Sequence, residues 1–386
     1  MSCVPLPRRS SLRATSLAMD VRDLLHLASP PRTRRRFGAW QIEITTRCPL
    51  ACRMCARRAP EPWCSADMPL ADFAALAAQL ADVETVVLQG WGEPLLHPSL
   101  VEIVRLAKSA GAPGAAPAVG FVTSGKGLDR ARAAALVDAG LDFIGFSIAG
   151  VSPATHAAIR VHSTLDEVVG AAEHVAAVRA GGGRPRVHVA YLMLKDNVAE
   201  LPDLPALARR MGAREIVLTN LVHVADAWQE RQVVFGDGLD AAHESILAET
   251  ARRAAALGLA LRRPSLTPAP TPLCEEDPLR NLYVGVAGDV SPCVYLGPPF
   301  SGEFTRRFGG RVHRTRGLRL GNAFREPVRA IREAPEYGAF CAPFVRRARR
   351  ELLRSLLPAS WRRGPGPSEL PEAPGPCLTC HKLLGA

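Results

Sequence analysis

The chain has 386 residues, with 48 lysines and arginines against 37 aspartates and glutamates, and a formal net charge of +11. Its hydrophobic fraction of 47% is ample for a sizeable core, which excludes a disordered, collagen-like or disulfide-stapled mini-protein. The sequence holds no uninterrupted apolar run of about 18 residues, so we expect no transmembrane helix. The length predicts two domains, or one large barrel with an extension.

The two ends of the chain carry most of the basic charge, in arginine clusters at 32–36 and 346–350. We interpret these clusters as solvated surface, and we predict no specific nucleic-acid partner. Residues 1–38 are rich in Ser, Pro and Arg without periodicity, which predicts a disordered basic leader. Because this leader lacks the apolar core of a signal peptide, we predict a reducing, cytoplasmic location, where clustered cysteines are more often metal ligands than disulfides.

From residue 39 the sequence alternates between short apolar or β-branched runs and longer stretches with helical spacing. The predicted strands are 40–46, 85–89, 118–123, 143–148, 186–194 and 215–221. The predicted helices are 70–81, 98–110, 129–139, 164–180, 198–211 and 241–257. Gly140 and Gly212 stand where two of these helices are expected to end and turn back into a strand. Six βα repeats predict an α/β fold with a parallel open sheet or a partial barrel.

A proline-rich segment at 264–272 interrupts this pattern and predicts a domain boundary. We therefore place the barrel at 39–263 and a second domain at 264–386. The second domain loses the βα rhythm and contains five of the ten cysteines. Metal is expected to organise much of it.

Three cysteines, Cys48, Cys52 and Cys55, follow the first predicted strand with CxxxCxxC spacing. Three thiolates on one short loop can converge on one soft metal centre, so the spacing leaves both an iron–sulfur cluster and zinc open. Cys64 is the nearest candidate for the fourth ligand that a structural zinc needs. The position of the loop is informative, because chemistry collects at the carboxyl ends of parallel strands.

Over residues 39–225 the sequence resembles the radical S-adenosylmethionine (SAM) superfamily. The resemblance is carried by the CxxxCxxC loop, by Gln89-Gly90-Trp91-Gly92-Glu93-Pro94 after strand two, and by Ser147 at the end of strand four. It implies a (β/α)6 partial TIM barrel and a [4Fe-4S] cluster held by Cys48, Cys52 and Cys55, with SAM chelating the fourth iron. It also implies reductive cleavage of SAM to a 5′-deoxyadenosyl radical that abstracts hydrogen from a substrate.

The resemblance further implies a set of SAM contacts. Gly92-Glu93-Pro94 resembles the end of the GGEP motif that binds the SAM amino group. Trp91 stands where the family has a glycine, and we expect Gly90 to compensate by adopting a positive φ. Asn197 is expected to cap the next helix or contact SAM. The full predicted set is Met54 (near the adenine), Gly90, Trp91, Gly92, Glu93, Pro94, Ser124 and Ser147 (ribose or carboxylate), Arg160 (carboxylate) and Asn197.

The C-terminal cysteines resemble the auxiliary-cluster extension of radical SAM enzymes called SPASM, and more closely its one-cluster form, Twitch. Cys274, Gly288 and Cys293 fit a C-x13-G-x4-C pattern, and Cys377 and Cys380 form a later CxxC. The resemblance implies a second [4Fe-4S] cluster held by these four cysteines, with Cys341 spare or a substitute ligand. A four-cysteine zinc site remains the alternative. A fully protein-ligated cluster is suited to accept an electron from a substrate radical.

Relatives with this extension include anaerobic sulfatase-maturating enzymes, peptide maturases and 2-deoxy-scyllo-inosamine dehydrogenase. We predict peptide or protein modification, with electrons from a flavodoxin or ferredoxin; the alternatives are oxidation of a small alcohol and a non-catalytic, zinc-stabilised binding protein. His156, His188 and His223 are candidates for proton transfer. His223 and Asp226, just after strand six, are also expected to line the substrate cavity.

Overall fold

A computed structural model of the chain describes residues 37–59, 61–110, 116–179, 183–236, 241–356 and 370–386. The predicted disordered leader lies outside these ranges up to residue 36. Its last two residues, Phe37 and Gly38, instead open the first strand. The first strand therefore begins two residues before the predicted start of the barrel at residue 39.

The described residues form twelve strands and ten α-helices. The strands are β1 (Phe37–Ile42), β2 (Val83–Val87), β3 (Ala118–Thr123), β4 (Phe143–Ile148), β5 (Arg186–Leu192), β6 (Glu215–Thr219), β7 (Ala260–Arg262), β8 (Leu282–Val284), β9 (Asp289–Ser291), β10 (Glu303–Phe308), β11 (Arg311–Arg316) and β12 (Gly321–Asn322). The helices are α1 (Leu70–Ala77), α2 (Leu100–Lys108), α3 (Arg130–Asp138), α4 (Pro153–Ile159), α5 (Leu165–Val178), α6 (Leu204–Arg210), α7 (Ala227–Gln232), α8 (Ala241–Ala256), α9 (Val328–Glu333) and α10 (Pro335–Leu356).

Ten strands form one sheet in the order β12-β9-β8-β1-β2-β3-β4-β5-β6-β7. Neighbours from β1 to β7 pair in parallel, and helices connect them, so the predicted partial barrel is confirmed. All six predicted strands are present, and their ends differ from the prediction by at most four residues. The seventh parallel strand, β7, escaped prediction because three partly exposed residues carry no readable periodicity.

Local sequence explains where several helices begin and end. Thr164 and Glu167 form a reciprocal capping box at the start of α5. Gly140 and Gly212 adopt positive φ after α3 and α6, as predicted. The predicted helix 198–211 is a 3₁₀ segment, Val198–Asp203, followed by α6. Proline at 202 and 205 removes backbone donors and accounts for this division.

The C-terminal segment continues the barrel sheet across the predicted boundary at 264. β8 pairs in parallel with β1, with Leu282 opposite Trp40. β9 and β12 extend this edge antiparallel, while β10 and β11 form a separate hairpin. Over the residues described, no helix has the length and apolarity to cross a membrane.

Candidate cluster and cofactor site

The cysteine loop, residues 48–55, follows β1 at the carboxyl end of the sheet. Two backbone hydrogen bonds fasten it to the segment after α4, from Ala51 N to Val161 O at 3.1 Å and from Arg53 N to Ile159 O at 2.9 Å. The buried amide of Gln229 donates to two carbonyls of the loop, at 3.1 and 3.3 Å. The loop is therefore held by elements far away in the sequence.

Cys48, Cys52 and Cys55 are free thiols that lie close enough to affect one another electrostatically. The pKa of Cys48 is raised to about 12, mainly by burial and to a smaller extent by Glu93, Cys55 and Cys52. Burial also raises the pKa of Cys55, with an added contribution from Cys52. A metal ligand must be a thiolate. Since burial disfavours that charge, the cationic core of an iron–sulfur cluster is suited to stabilise three thiolates here.

Arg160 supplies positive charge beside this loop. Its side chain is 5% exposed, and Nη1 donates to the Cys52 sulfur at 3.9 Å. Its Nε has no hydrogen-bond partner among the described residues. Burial, and then Arg160, lower the pKa of His156 to about 4, so this histidine is neutral near pH 7. A buried guanidinium with an unused donor next to Cys52 fits an anionic ligand at this point.

Glu93 is 4% exposed, and several hydrogen bonds fix its carboxylate. Its carboxylate accepts hydrogen bonds from the Thr123 hydroxyl, from the Ser124 backbone and hydroxyl at 2.8 and 2.7 Å, and from Leu95 N at 3.2 Å. The Ser124 hydroxyl predicted to contact SAM therefore donates to Glu93. These contacts join the loop after β2 to the end of β3.

Sequence reasoning missed Glu43, a fully buried carboxyl just after β1. Its oxygens accept from Trp91 N at 2.6 Å and from the Tyr283 hydroxyl at 2.8 Å, and the Gly92 backbone also donates to it. Burial raises the pKa of Glu43 to about 7, against these hydrogen bonds, which lower it. Glu43 thus links β1, the loop of residues 89–94 (the Gly-rich loop) and β8. An acidic residue beside a buried strand was the only signal in the sequence.

Close packing, and not a positive φ, explains the two glycines of this loop. A Cβ on Gly90 would lie 2.3 Å from a Glu43 carboxylate oxygen, and one on Gly92 would lie 2.1 Å from Thr45 O. Gly90 is not among the glycines with positive φ. The expectation that Gly90 compensates for Trp91 through a positive φ is therefore wrong.

Replacing Gly92 with alanine is expected to lower the free energy of unfolding by about 1–3 kcal/mol, because the new methyl group meets backbone that cannot move away easily. The matched control is Gly170→Ala in α5, where an added Cβ meets nothing within 4 Å. The control should be stabilised by up to about 1 kcal/mol. Chemical denaturation followed by circular dichroism measures both, and equal effects would contradict the packing argument.

Other predicted contacts have separate outcomes. Met54 in the cysteine loop and Ser147 near the end of β4 are both buried, at 7% and 4% exposure. The Asn197 side chain does not cap the following helix. Its Oδ1 accepts a hydrogen bond from Leu194 N, and its Nδ2 donates to the carbonyls of Ala149 and Leu192, all at 2.8–3.0 Å. Those bonds occupy both amide hydrogens, so Asn197 ties the end of β4 to the end of β5.

The two residues expected to line the substrate cavity also have different surroundings. The Asp226 carboxylate accepts a hydrogen bond from Gln229 N at 2.8 Å and thereby caps the N-terminus of α7. The His223 ring lies 5.9 Å from that of Trp91 and 5.4 Å from that of Phe304, and its Nδ1 has no partner in the described chain. Burial lowers the pKa of His223 to about 3, and burial lowers that of His188 to about 4.

The C-terminal cysteine group consists of Cys274, Cys293, Cys377 and Cys380. Burial raises the pKa of Cys274, with further increases from Cys377, Glu276 and Cys380. Burial also raises the pKa of Cys293, with further increases from Glu276 and from the other three cysteines. The structure therefore brings these four thiols together. In the described ranges, no three His, Cys, Asp or Glu side chains are arranged to hold a single metal ion.

Cys341 lies outside this group. Its sulfur donates to Pro278 O and accepts from Arg332 Nη1, both at 3.5 Å. Burial raises its pKa, and the charges that act on it are Arg332 and Asp277 rather than the other cysteines. The structure thus gives no support to Cys341 as a substitute ligand. Cys64 is an exposed free thiol.

Aromatic packing joins the Gly-rich loop to the C-terminal cysteine group. The Trp91 ring lies 6.1 Å from that of Tyr295, and Cys293 and Cys380 pack against the same cluster of side chains. Trp91, which stands where the family has a glycine, therefore packs between the rest of the Gly-rich loop and the C-terminal cysteine group. Sequence reasoning did not anticipate this contact.

Residues 42–208 match the family described as the radical SAM superfamily. A PqqA peptide cyclase from Rhizobium meliloti is 32% identical over 215 residues, which are 53% of this chain and 54% of the relative. A tungsten-containing aldehyde ferredoxin oxidoreductase cofactor-modifying protein from Pyrococcus furiosus is 24% identical over 307 residues, which are 78% of this chain and 82% of the relative.

A solved structure, Streptococcus suis SuiB bound to the precursor peptide SuiA, covers 97% of this chain and 78% of its own with a TM-score of 0.54. At 13% identity this likeness concerns the fold. The chain spans little more than half the length of the first PqqA peptide cyclases that it matches.

Proposed function

Because this chain belongs to the radical SAM superfamily, we propose that it cleaves SAM reductively and uses the resulting 5′-deoxyadenosyl radical to modify a peptide or protein. The observation that carries this proposal is the cysteine loop of three buried or half-buried thiols, in which the Cys52 sulfur contacts the buried guanidinium of Arg160. We assign 39–263 to the radical-generating barrel and 264–386 to an auxiliary-cluster domain.

In this proposal Cys48, Cys52 and Cys55 hold a [4Fe-4S] cluster. When bound, the cluster supplies the electron for cleavage of SAM. Arg160 places its guanidinium where it can pair with the SAM carboxylate. Met54 and Ser147 form nearby walls of the site. Glu93 orients the loop of residues 90–94, so that backbone groups of this loop face the SAM amino group.

The C-terminal cysteine group is proposed to hold a second [4Fe-4S] cluster. Four free thiols that influence one another supply the soft donor set that such a cluster takes. An electron donor of the flavodoxin or ferredoxin type and a cytoplasmic location complete the proposal. The nine cysteines in the described residues are all free thiols, which supports a reducing compartment.

The peptide assignment draws on the names of the related proteins. PqqA peptide cyclase is named for a peptide, and SuiB was solved with a precursor peptide. Oxidation of a small alcohol remains an outcome of the substrate test rather than a second proposal.

The first test is 5′-deoxyadenosine formation by the anaerobically reconstituted, reduced protein. Cys52→Ala should abolish formation, because it removes one cluster ligand. The matched control, Cys64→Ala, changes an exposed thiol close by in the sequence and should retain wild-type activity. Candidate peptides and small alcohols are then offered separately and followed by mass spectrometry. Failure of the wild type to form 5′-deoxyadenosine would reject the proposal, and turnover of alcohols alone would reject its peptide part.

A further inference from the structure

Three cationic side chains are buried around the C-terminal cysteine group. Arg306, Arg347 and Lys382 are 1%, 4% and 4% exposed. Burying a charge costs several kcal/mol unless an opposite charge or hydrogen bonds compensate for it. Lys382 has such a partner, because its Nζ lies 2.7 Å from a carboxylate oxygen of Glu275. Arg306 and Arg347 have no such carboxylate partner among the described residues.

The hydrogen bonds of both arginines within the described chain run to uncharged oxygens. Arg306 donates to Pro376 O at 2.9 Å and, at 3.5 Å, to Tyr295 O and the Thr379 hydroxyl. Pro376 and Thr379 flank Cys377, so this guanidinium is fixed beside the C-terminal CxxC.

Arg347 reaches the same group from α10. Its guanidinium donates to Pro371 O and Thr271 O, both at 2.6 Å. Its buried Nε has no hydrogen-bond partner among the described residues. Thr271 lies three residues before Cys274 and Pro371 lies six residues before Cys377, so Arg347 is tied to two of the segments that carry these cysteines. Two buried guanidinium groups that have no carboxylate partner among the described residues are therefore held beside segments of the C-terminal cysteine group.

We propose that Arg306 and Arg347 balance the negative charge of the auxiliary iron–sulfur cluster and raise its reduction potential. This inference rests on the proposed function, which places a cluster at these four cysteines. Gain of one electron makes a thiolate-ligated cluster more negative, and a nearby buried positive charge stabilises that reduced form. The two arginines are positioning residues that make the cluster a better electron acceptor.

The test uses the full-length Cys48→Ala/Cys52→Ala/Cys55→Ala chain, in which the auxiliary cluster is the one expected to remain. Redox titration with dithionite, followed by electron paramagnetic resonance, gives its potential. Arg306→Gln and Arg347→Gln are each expected to shift the potential to more negative values, while Arg306→Lys and Arg347→Lys keep it near the parent. The matched control is Arg332→Gln, which removes a half-buried arginine beside Cys341 and should cause no shift.

Each result decides the question. An unchanged potential in both glutamine variants at equal iron content would reject this inference and leave the proposed function intact. Equal shifts in the lysine and glutamine variants would also reject it, because charge would not be the cause. A parent chain without iron would reject the auxiliary cluster itself and this inference with it. If one glutamine variant fails to retain iron, the other still provides the test, since the two arginines lie on separate elements.

Discussion

Removing the three thiols of the cysteine loop should halve the iron content. Two [4Fe-4S] clusters hold about eight irons, so the Cys48→Ala/Cys52→Ala/Cys55→Ala variant is expected to keep about four. The reason is structural: the loop and the C-terminal cysteine group share no ligand, and each group's thiols affect one another's pKa. Iron and sulfide analysis after anaerobic reconstitution measures the change.

Two further variants complete this experiment. Replacing all four C-terminal cysteines with alanine should also leave about four irons, now at the loop. The control is Cys341→Ala, which should keep about eight, because its sulfur contacts Arg332 and Pro278 instead of the other cysteines. A wild type with about four irons and a loop variant with none would show that the C-terminal cysteines hold no iron–sulfur cluster, and the electron-acceptor role would fail.

The fold was predictable because its signals are local. Apolar runs such as 118–123 and 143–148 coincide with β3 and β4 residue for residue, since parallel strands covered on both faces are apolar throughout. The short helices α4 and α7 were missed because six or seven residues hold too few turns for an apolar face to show in the sequence. Strand β8 was missed because its pairing with β1 joins residues about 240 apart.

The candidate site was predictable only where spacing alone brings residues together. The CxxxCxxC loop is such a case, while Glu43 acquires its role from contacts with Trp91 and Tyr283 that a linear pattern does not contain. Asn197 and Asp226 show another kind of contact that a linear pattern does not contain. Both stand at strand ends, where functional residues gather, but their side chains satisfy backbone groups of the chain itself.

The buried carboxyl of Glu43 should make stability depend on pH, and Glu43→Gln should remove this contribution. Burial raises its pKa from 4.5 to about 7 in the folded chain, so the folded state binds this proton more tightly than the unfolded state. The tighter proton binding by Glu43 therefore adds to the free energy of unfolding. This addition is complete below pH 4.5 and is lost as the pH rises through 7. The full difference is about 3 kcal/mol, of which about 2 kcal/mol falls between pH 5.5 and 8.

Between pH 5.5 and 8 the E43Q variant is therefore expected to gain about 2 kcal/mol of stability relative to the wild type, which corresponds to a few degrees in the unfolding midpoint. Thermal unfolding of both reconstituted proteins at one scan rate measures it. The matched control is Glu84→Gln on β2, whose partly exposed carboxylate lies 3.3 Å from Arg280 and whose difference from the wild type should stay constant over this range. A constant difference for E43Q as well would mean that Glu43 is already ionised at pH 5.5, and that its three hydrogen-bond donors outweigh its burial.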